Sequence, residues 1–288
     1  MLGLDGKEQI EEYGLAPFID KCKESVWKYK GEWEEMSRRV GYWADMENPY
    51  ITYDNNYIES VWWSLKQIHE KGLLYKGHKI VPYCPRCGTA LSSHEVAQGY
   101  QDVTERSATA IFKCTDDDAA YLAWTTTPWT LPSNVALVVN AVEDYVYAVK
   151  DGVTYILAQA LCAKVLGDET EIAKTVKGQE LVGMDYEPLY PFAGQTKQRG
   201  WYVVADSYVT LTDGTGIVHT APAFGEDDAR VGRENNLPFV QMVNTQGRFI
   251  DAVTPWAGMF VKDADPLIVE EMRQTGKLFA AVPYTHSY

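Results

Sequence analysis

Residues 124–134 read Trp124-Thr125-Thr126-Thr127-Pro128-Trp129-Thr130-Leu131-Pro132-Ser133-Asn134. Three consecutive threonines favour an extended backbone, and Pro128 ends strand pairing. The stretch therefore marks a strand that runs into a proline-rich turn. From about residue 105 onward, short segments rich in β-branched and aromatic residues recur, at 108–113, 136–139, 145–149, 153–157, 201–204 and 217–218. Gly, Pro, Asn and Asp punctuate them. That pattern predicts a β-barrel or a compact mixed domain. Helices are expected to interrupt it near 158–166, 226–234 and 265–275. The threonines also have a chemical reading, because hydroxyls at a strand end can bind a substrate hydroxyl, a carbonyl or an attacking water. The plain alternative is that Thr serves there only as a strand former.

Upstream the pattern is helical. Cys22, Val26, Tyr29, Trp33, Met36 and Val40 alternate spacings of four and three, which predicts one apolar face of a helix ending near Gly41. Asn48-Pro49 marks a break. A second helix is expected over 56–71, with Ile58, Val61, Trp62, Leu65 and Ile68 on one face and Gly72 as its stop. Two packed helices with a Trp-rich core follow from this, with no chemistry of their own. The change of pattern places a domain boundary between residues 84 and 105.

Bulk composition narrows the classes. The 288 residues suffice for about two domains. No apolar run approaches the roughly 18 residues of a membrane span, and the first residues lack a signal-peptide core, so cytoplasm is the expected compartment and no membrane partner is expected. Five cysteines, at 22, 84, 87, 114 and 162, are odd in number and sit in a large chain, so they do not form a disulfide framework. A net charge of −14 argues against a protein that grips nucleic acid mainly by electrostatics.

Two further motifs carry chemistry. Cys84-Pro85-Arg86-Cys87, followed by Gly88, lets two thiolates face one metal. Structural zinc needs four ligands, and no second CxxC exists in the chain. His78 and His94 are near enough in sequence to be considered, but nothing in the spacing demands them. The other readings are half a zinc site or two ordinary reduced thiols. Residues 214–228, Gly-Thr-Gly-Ile-Val-His-Thr-Ala-Pro-Ala-Phe-Gly-Glu-Asp-Asp, read as a strand ending at His219, a loop, and an acidic turn that opens a helix. Acids in a first helical turn suit the macrodipole, so 226–228 can be structural. Alternatively His219 and a carboxylate form one wall of a pocket for a ligand with an ammonium group.

The three motifs taken together, WTTTPWTLPSN, GTGIVHTAPAFGEDD and YCPRCGTALSSHEVAQGY, resemble the isoleucyl-tRNA synthetase family. Valyl and leucyl relatives look like Thr-Thr-Arg-Pro at the threonine motif, whereas this chain has Thr126-Thr127-Pro128. Valyl enzymes also typically carry Lys where His219 stands. The Cys-Pro-Arg-Cys wording is similar to the archaeal and eukaryote-like branch. The resemblance covers essentially the whole chain and implies two parts. Residues 1–95 are expected to be a partial segment of a Rossmann-type α/β catalytic domain, mostly helical here, and 96–288 an inserted β-barrel-like editing domain with peripheral helices. The family's ATP signatures, His-Ile-Gly-His and Lys-Met-Ser-Lys-Ser, occur nowhere in the sequence. The chain is therefore expected to begin inside the catalytic domain and to stop just short of a second CxxC. Zinc at Cys84 and Cys87, and ATP with magnesium, are then expected only in an intact parent.

The resemblance also implies an activity and its residues. The expected reaction is hydrolysis of valine wrongly attached to the 3′ end of tRNA(Ile), with valyl-adenylate as a second candidate substrate. No cofactor is implied for it, and a monomer is expected. Asp228 would hold the substrate ammonium. Thr127 and His219 would border the side-chain pocket. Thr125 and Thr126 would bond the terminal ribose, the ester or the water, with Trp129 and Asn134 shaping the wall behind. The water's proton would pass to the substrate's neighbouring hydroxyl or to His219. The alternatives are valyl- or leucyl-type editing, and a non-catalytic RNA-binding or zinc-ribbon module.

Overall fold

The structure, a computed structural model, describes residues 2–194 and 196–287. The chain divides into two compact units, the first ending at His78 and the second starting at Lys79. The division falls ahead of residue 95, where the sequence places the boundary. The Cys84–Cys87 knuckle belongs to the second unit, where Pro85 lies close against Gly247.

The first unit is helical, with α1 Lys7–Tyr13, α2 Leu15–Lys28, α3 Lys30–Arg39 and α4 Asn55–Glu70. The single helix expected through residues 22–40 is two, broken at Tyr29 (φ −106°, ψ 8°). Gly31, close behind, weakens a continuous helix by its backbone entropy. The Trp-rich core is not found either. Among its described residues this unit buries none, and Trp33 and Trp43 are 66% and 94% exposed. Four short helices have too little mutual surface to enclose aromatic side chains.

The second unit opens with the hairpin β1 Tyr83–Cys84 and β2 Thr89–Ala90, then α5 Ser93–Ala97, whose Ser92 and Glu95 form a capping box. The rest is β3 Asp102–Lys113, β4 Ala119–Thr125, a 3-10 helix Pro128–Ser133, β5 Ala136–Val139, β6 Asp144–Lys150, β7 Val153–Ala158, α6 Gln159–Leu166, β8 Glu171–Lys177, α7 Gly178–Leu181, β9 Tyr202–Ala205, β10 Val218–Thr220, α8 Glu226–Glu234, α9 Val261–Gln274 and β11 Leu278–Ser287. The expected strands and helices are all present in place. The nine strands β3–β11 form one mixed sheet, in the order β8-β6-β7-β4-β10-β5-β9, with β3 joining β4 to β11. One edge of β4 pairs with β3. Its other edge is shared, with β7 opposite residues 119–121 and β10 opposite Trp124, which curls the sheet.

Both faces of that sheet are covered. Tyr121 and Ala123 of β4 point into the large core with Leu137, Tyr145, Tyr186 and Phe249, while Leu122 points into a smaller one with Val146, Leu157 and Leu166. A strand buried on both sides reads as a continuous apolar run rather than an alternation, as Ala119–Thr125 does. Two glycines of the Gly214-Thr215-Gly216 stretch are required here. Both have positive φ; a Cβ on Gly214 would press on the Trp124 ring, and one on Gly216 would lie 2.3 Å from the Ala158 Cβ. Helices α1–α9 include none that is long and apolar enough to cross a membrane, among the described residues.

Gly216→Ala should destabilise the fold by about 2–4 kcal/mol, combining backbone strain with overpacking. Gly183→Ala, also at positive φ but with open space around it, should cost only the backbone strain, about 1 kcal/mol. Urea denaturation of the two variants compares them. Equal losses would show that the Ala158 contact does not limit residue 216.

Candidate active site

The site is built where β4 and β10 end side by side. β10 runs parallel to β4, with Val218 opposite Trp124, and antiparallel to β5, with His219 opposite Leu137. The threonine turn leaves β4 just beyond that register. His219 is buried, and its Nε2 lies 3.0 Å from Thr130 Oγ1. Thr130 Oγ1 donates its one proton to the Thr127 carbonyl at 2.8 Å. The imidazole must therefore donate from Nε2 and keep a bare acceptor at Nδ1, which has no partner among the described residues. Burial pushes the His219 pKa down to about 4. At neutral pH the ring is neutral and accepts hydrogen bonds; it is a poor match for a general base working near pH 7.

The threonine hydroxyls form a short chain. Thr127 Oγ1 is 3.4 Å from both Thr125 Oγ1 and Thr130 Oγ1, and the Thr127 N–H donates to Thr125 Oγ1 at 3.1 Å. The Thr126 side chain is half-buried and bonds no other described residue. The ring of Trp129 meets Phe224 edge to face at 4.9 Å. Asn134 behaves as a strut: its Nδ2 donates to Ala136 O, its Oδ1 accepts from Tyr186 OH at 2.7 Å, and its carbonyl accepts from Trp201 Nε1. Both ends of its amide are used by the protein, so its part is to fix the turn.

Asp228 comes to the same place from α8. It sits in the first turn, and its Oδ2 accepts the Ala221 N–H at 3.0 Å, two residues beyond His219. A Cβ on Gly225 would fall 2.9 Å from its Cγ, so only glycine at that N-cap lets the carboxylate fold back. Burial raises the Asp228 pKa to about 6, against the Ala221 N–H, which lowers it. Asp227 is exposed and pairs with Arg230 at 3.3 Å. Arg230 also grips Asp206 with two bonds, of 2.7 and 3.0 Å, tying α8 to the loop after β9. The structure thus gathers Thr125, Thr127, Thr130 and His219 into one hydrogen-bonded group, with Trp129 in the same turn, and ties Asp228 to the backbone two residues past His219. Sequence reasoning missed Thr130, the link between turn and histidine, although it stands three residues after Thr127 in the motif already singled out.

Cys84 and Cys87 lie apart in the β1–β2 hairpin. The Cys87 N–H points at Cys84 Sγ, 3.3 Å away, and lowers that thiol's pKa. Among the described residues no group of three or more His, Cys, Asp and Glu could hold a metal ion. His94 is engaged with Gln98. Two thiols do not make a four-ligand zinc site, so the residues present do not fit a bound metal, and no chemistry is drawn through one. The buried thiols are Cys114 and Cys162; burial raises both, Cys114 up to about 12, and keeps them protonated.

A sequence profile of class I tRNA synthetases (I, L, M and V) matches residues 1–268, and the chain belongs to that family. Within it the chain is similar to isoleucine–tRNA ligases. It is 57% identical over 288 residues to that of Clostridium novyi and 58% to that of Clostridium acetobutylicum, in each case over the whole of this chain and 28% of the relative. It thus spans about a quarter of the length of these curated relatives. Both are bacterial, where the Cys-Pro-Arg-Cys wording pointed to the archaeal and eukaryote-like branch. In fold, the crystal structure of GlLeuRS-CP1 aligns with a TM-score of 0.50 at 13% identity, covering 62% of this chain and 99% of that one.

Asp228 makes a testable electrostatic prediction without any substrate. Its folded pKa, about 6, lies above the ordinary 3.8, so the folded state holds the proton more tightly than the unfolded chain. Its stabilising contribution is complete below about pH 4 and is lost as pH rises through 6. Ionised and unpaired, it costs on the order of 2–3 kcal/mol. Asp228→Asn should therefore raise the melting temperature at pH 7.5 and give little gain at pH 4. Equal melting temperatures at pH 7.5 would mean the carboxylate is already neutralised.

Proposed function

We propose that the second unit, residues 79–288, is an editing site that hydrolyses valine from misacylated tRNA(Ile), and that the helical first unit is a segment of the synthetic domain. The observation that carries this reading is the half-buried Asp228 carboxylate, anchored on the Ala221 N–H two residues past His219 of the His219–Thr130–Thr127 chain. A carboxylate desolvated without a cation is poorly placed unless its ligand brings the charge, and an α-ammonium does so. Isoleucine and valine differ by one methylene, worth about 1–3 kcal/mol in an apolar pocket, a figure long familiar from this family. A second, smaller site is the physical remedy.

The chemistry is ester hydrolysis by water. A covalent acyl-enzyme is disfavoured because the threonine hydroxyls of the site have no base to activate them: His219 is a weak base, its pKa depressed to about 4, and burial keeps the Cys114 and Cys162 thiols protonated. Asp228 holds the ammonium and so fixes the ester. Thr127 and neutral His219 border the isopropyl group and leave no room for a further methylene. Thr125 and Thr126 hydrogen-bond the ribose or the water. The water oxygen bonds to the carbonyl carbon, the bond to the ribose oxygen breaks, and that oxygen takes a proton, releasing valine and free tRNA. With His219 depressed to about 4, the neighbouring ribose hydroxyl is the better relay for the water's proton. Valyl-adenylate presents the same ammonium and side chain and is a second substrate on this reading. The absence of Arg before Pro128 favours isoleucyl-type over valyl- or leucyl-type specificity. A net charge of −14 disfavours a plain RNA-binding module.

Deacylation of preformed valyl-tRNA(Ile) tests this. Asp228→Ala should slow it by about 100-fold, the scale of a misplaced reacting group, with the circular dichroism unchanged. Asp227→Ala should change stability by about 1 kcal/mol or less and leave the rate near normal. Near-normal hydrolysis by the Asp228 variant, or faster clearance of threonyl-tRNA(Val) by the unaltered chain, would overturn the assignment. The acid limb of kcat/KM should follow a group titrating near 6.

A further inference from the structure

The threonine turn has an unmet need that is answered from a distant part of the chain. Thr127 is the N-cap of the 3-10 helix, yet its side chain caps nothing. A threonine in that position normally bonds one of the first free N–H groups. Pro128 has no N–H, and the Thr130 N–H reaches the Thr127 carbonyl at 3.0 Å. That leaves the Trp129 N–H. It donates instead to Asp265 Oδ1, 2.7 Å away and 136 residues along the chain.

We propose that Asp265 is a positioning residue for the editing site, capping the 3-10 helix from α9 and so freeing the Thr127 hydroxyl for substrate. The inference rests on the editing reading for its catalytic consequence alone. The bond is short, and the carboxyl oxygen accepts it whether or not the group is ionised. Relieved of capping, Thr127 Oγ1 stands between the hydroxyls of Thr125 and Thr130. Asp265 is itself held. Lys262, one turn earlier on α9, has its Nζ 3.8 Å from Asp265 Oδ2 and donates to both Glu105 oxygens at 2.7 and 2.8 Å. His286 Nε2 lies 3.4 Å from Glu105. The link thus runs from the β3–β11 pair through α9 to the turn. Burial raises the Asp265 pKa, opposed by Lys262 and the Trp129 N–H, which agrees with a carboxylate placed for that N–H rather than for solvent.

The test compares this chain with its Asp265→Ala and Asp265→Asn variants on valyl-tRNA(Ile). Alanine should lower kcat about tenfold or more with KM within about twofold, since it loosens reacting groups and not binding. Asparagine keeps an acceptor oxygen and should retain at least about a third of kcat. In methyl-labelled threonine spectra, the Thr127 methyl should shift in the alanine variant and stay in place in the asparagine variant, with core methyls unmoved in both. An alanine variant with unaltered kcat, an asparagine variant as slow as alanine, or an unmoved Thr127 methyl overturns the proposal. If the alanine variant does not fold, hydrogen exchange of the Trp129 amide in the unaltered chain decides: protection supports the cap, and exchange at the rate of an unstructured peptide overturns it. An unaltered chain that hydrolyses no aminoacyl-tRNA sinks the editing reading instead, and the methyl and exchange measurements still judge Asp265.

Discussion

Everything in the site hangs on β10, three residues held between β4 and β5. Because it pairs on both edges, it cannot slide without breaking two ladders, and a slip of one residue would turn His219 to the opposite face. Its register opposite Trp124 sets the histidine beside the threonine turn. Its continuation through Ala221 supplies the N–H that anchors Asp228. The loop from β10 to α8 is short, so the carboxylate in the first turn of α8 has no other place to go once Gly225 lets it fold back.

The same burial that fixes these groups sets their charges. His219 is driven down to about 4 and Asp228 up to about 6, so the two titrate in the order opposite to that of the free side chains. At neutral pH the site holds a neutral ring and one anion. That state suits a ligand with a single positive charge, because no imidazolium repels it and one carboxylate answers it. Groups whose environments push their pKa values apart are a recurrent feature of sites that do work.

Much of this was legible in the sequence, and the remainder was hidden for identifiable reasons. The shift from a helical to an alternating pattern, the proline turn after Thr127 and the acidic start of α8 are local signals, and each appears where the residues place it. β11 was not read as a strand, since its partner β3 is far away in the chain and its burial follows no clean alternation. β8 was missed too; six of its seven residues are outside the core, which leaves no apolar rhythm to detect. The Trp residues of the first unit looked like a core because sequence shows an apolar face but not whether anything covers it. Within the candidate site, Thr125, Thr127, His219 and Asp228 stand out in the sequence motifs. Thr130 and Asp265 do not, because one relays a hydrogen bond and the other reaches its partner from a separate helix.

The central claim is that Asp228 receives an ammonium while Thr127 and His219 limit the side chain. A crystal structure of the chain with a hydrolysis-resistant analogue, valine joined through an amide to the 3′ position of adenosine, tests it most directly. The account predicts the ammonium nitrogen within about 3 Å of an Asp228 oxygen, as a charge-assisted bond requires. It also predicts the isopropyl group packed between Thr127 and His219, and no binding of the isoleucyl analogue in the same place. An ammonium bound away from Asp228, or an isoleucyl analogue seated as the valyl one, would contradict it.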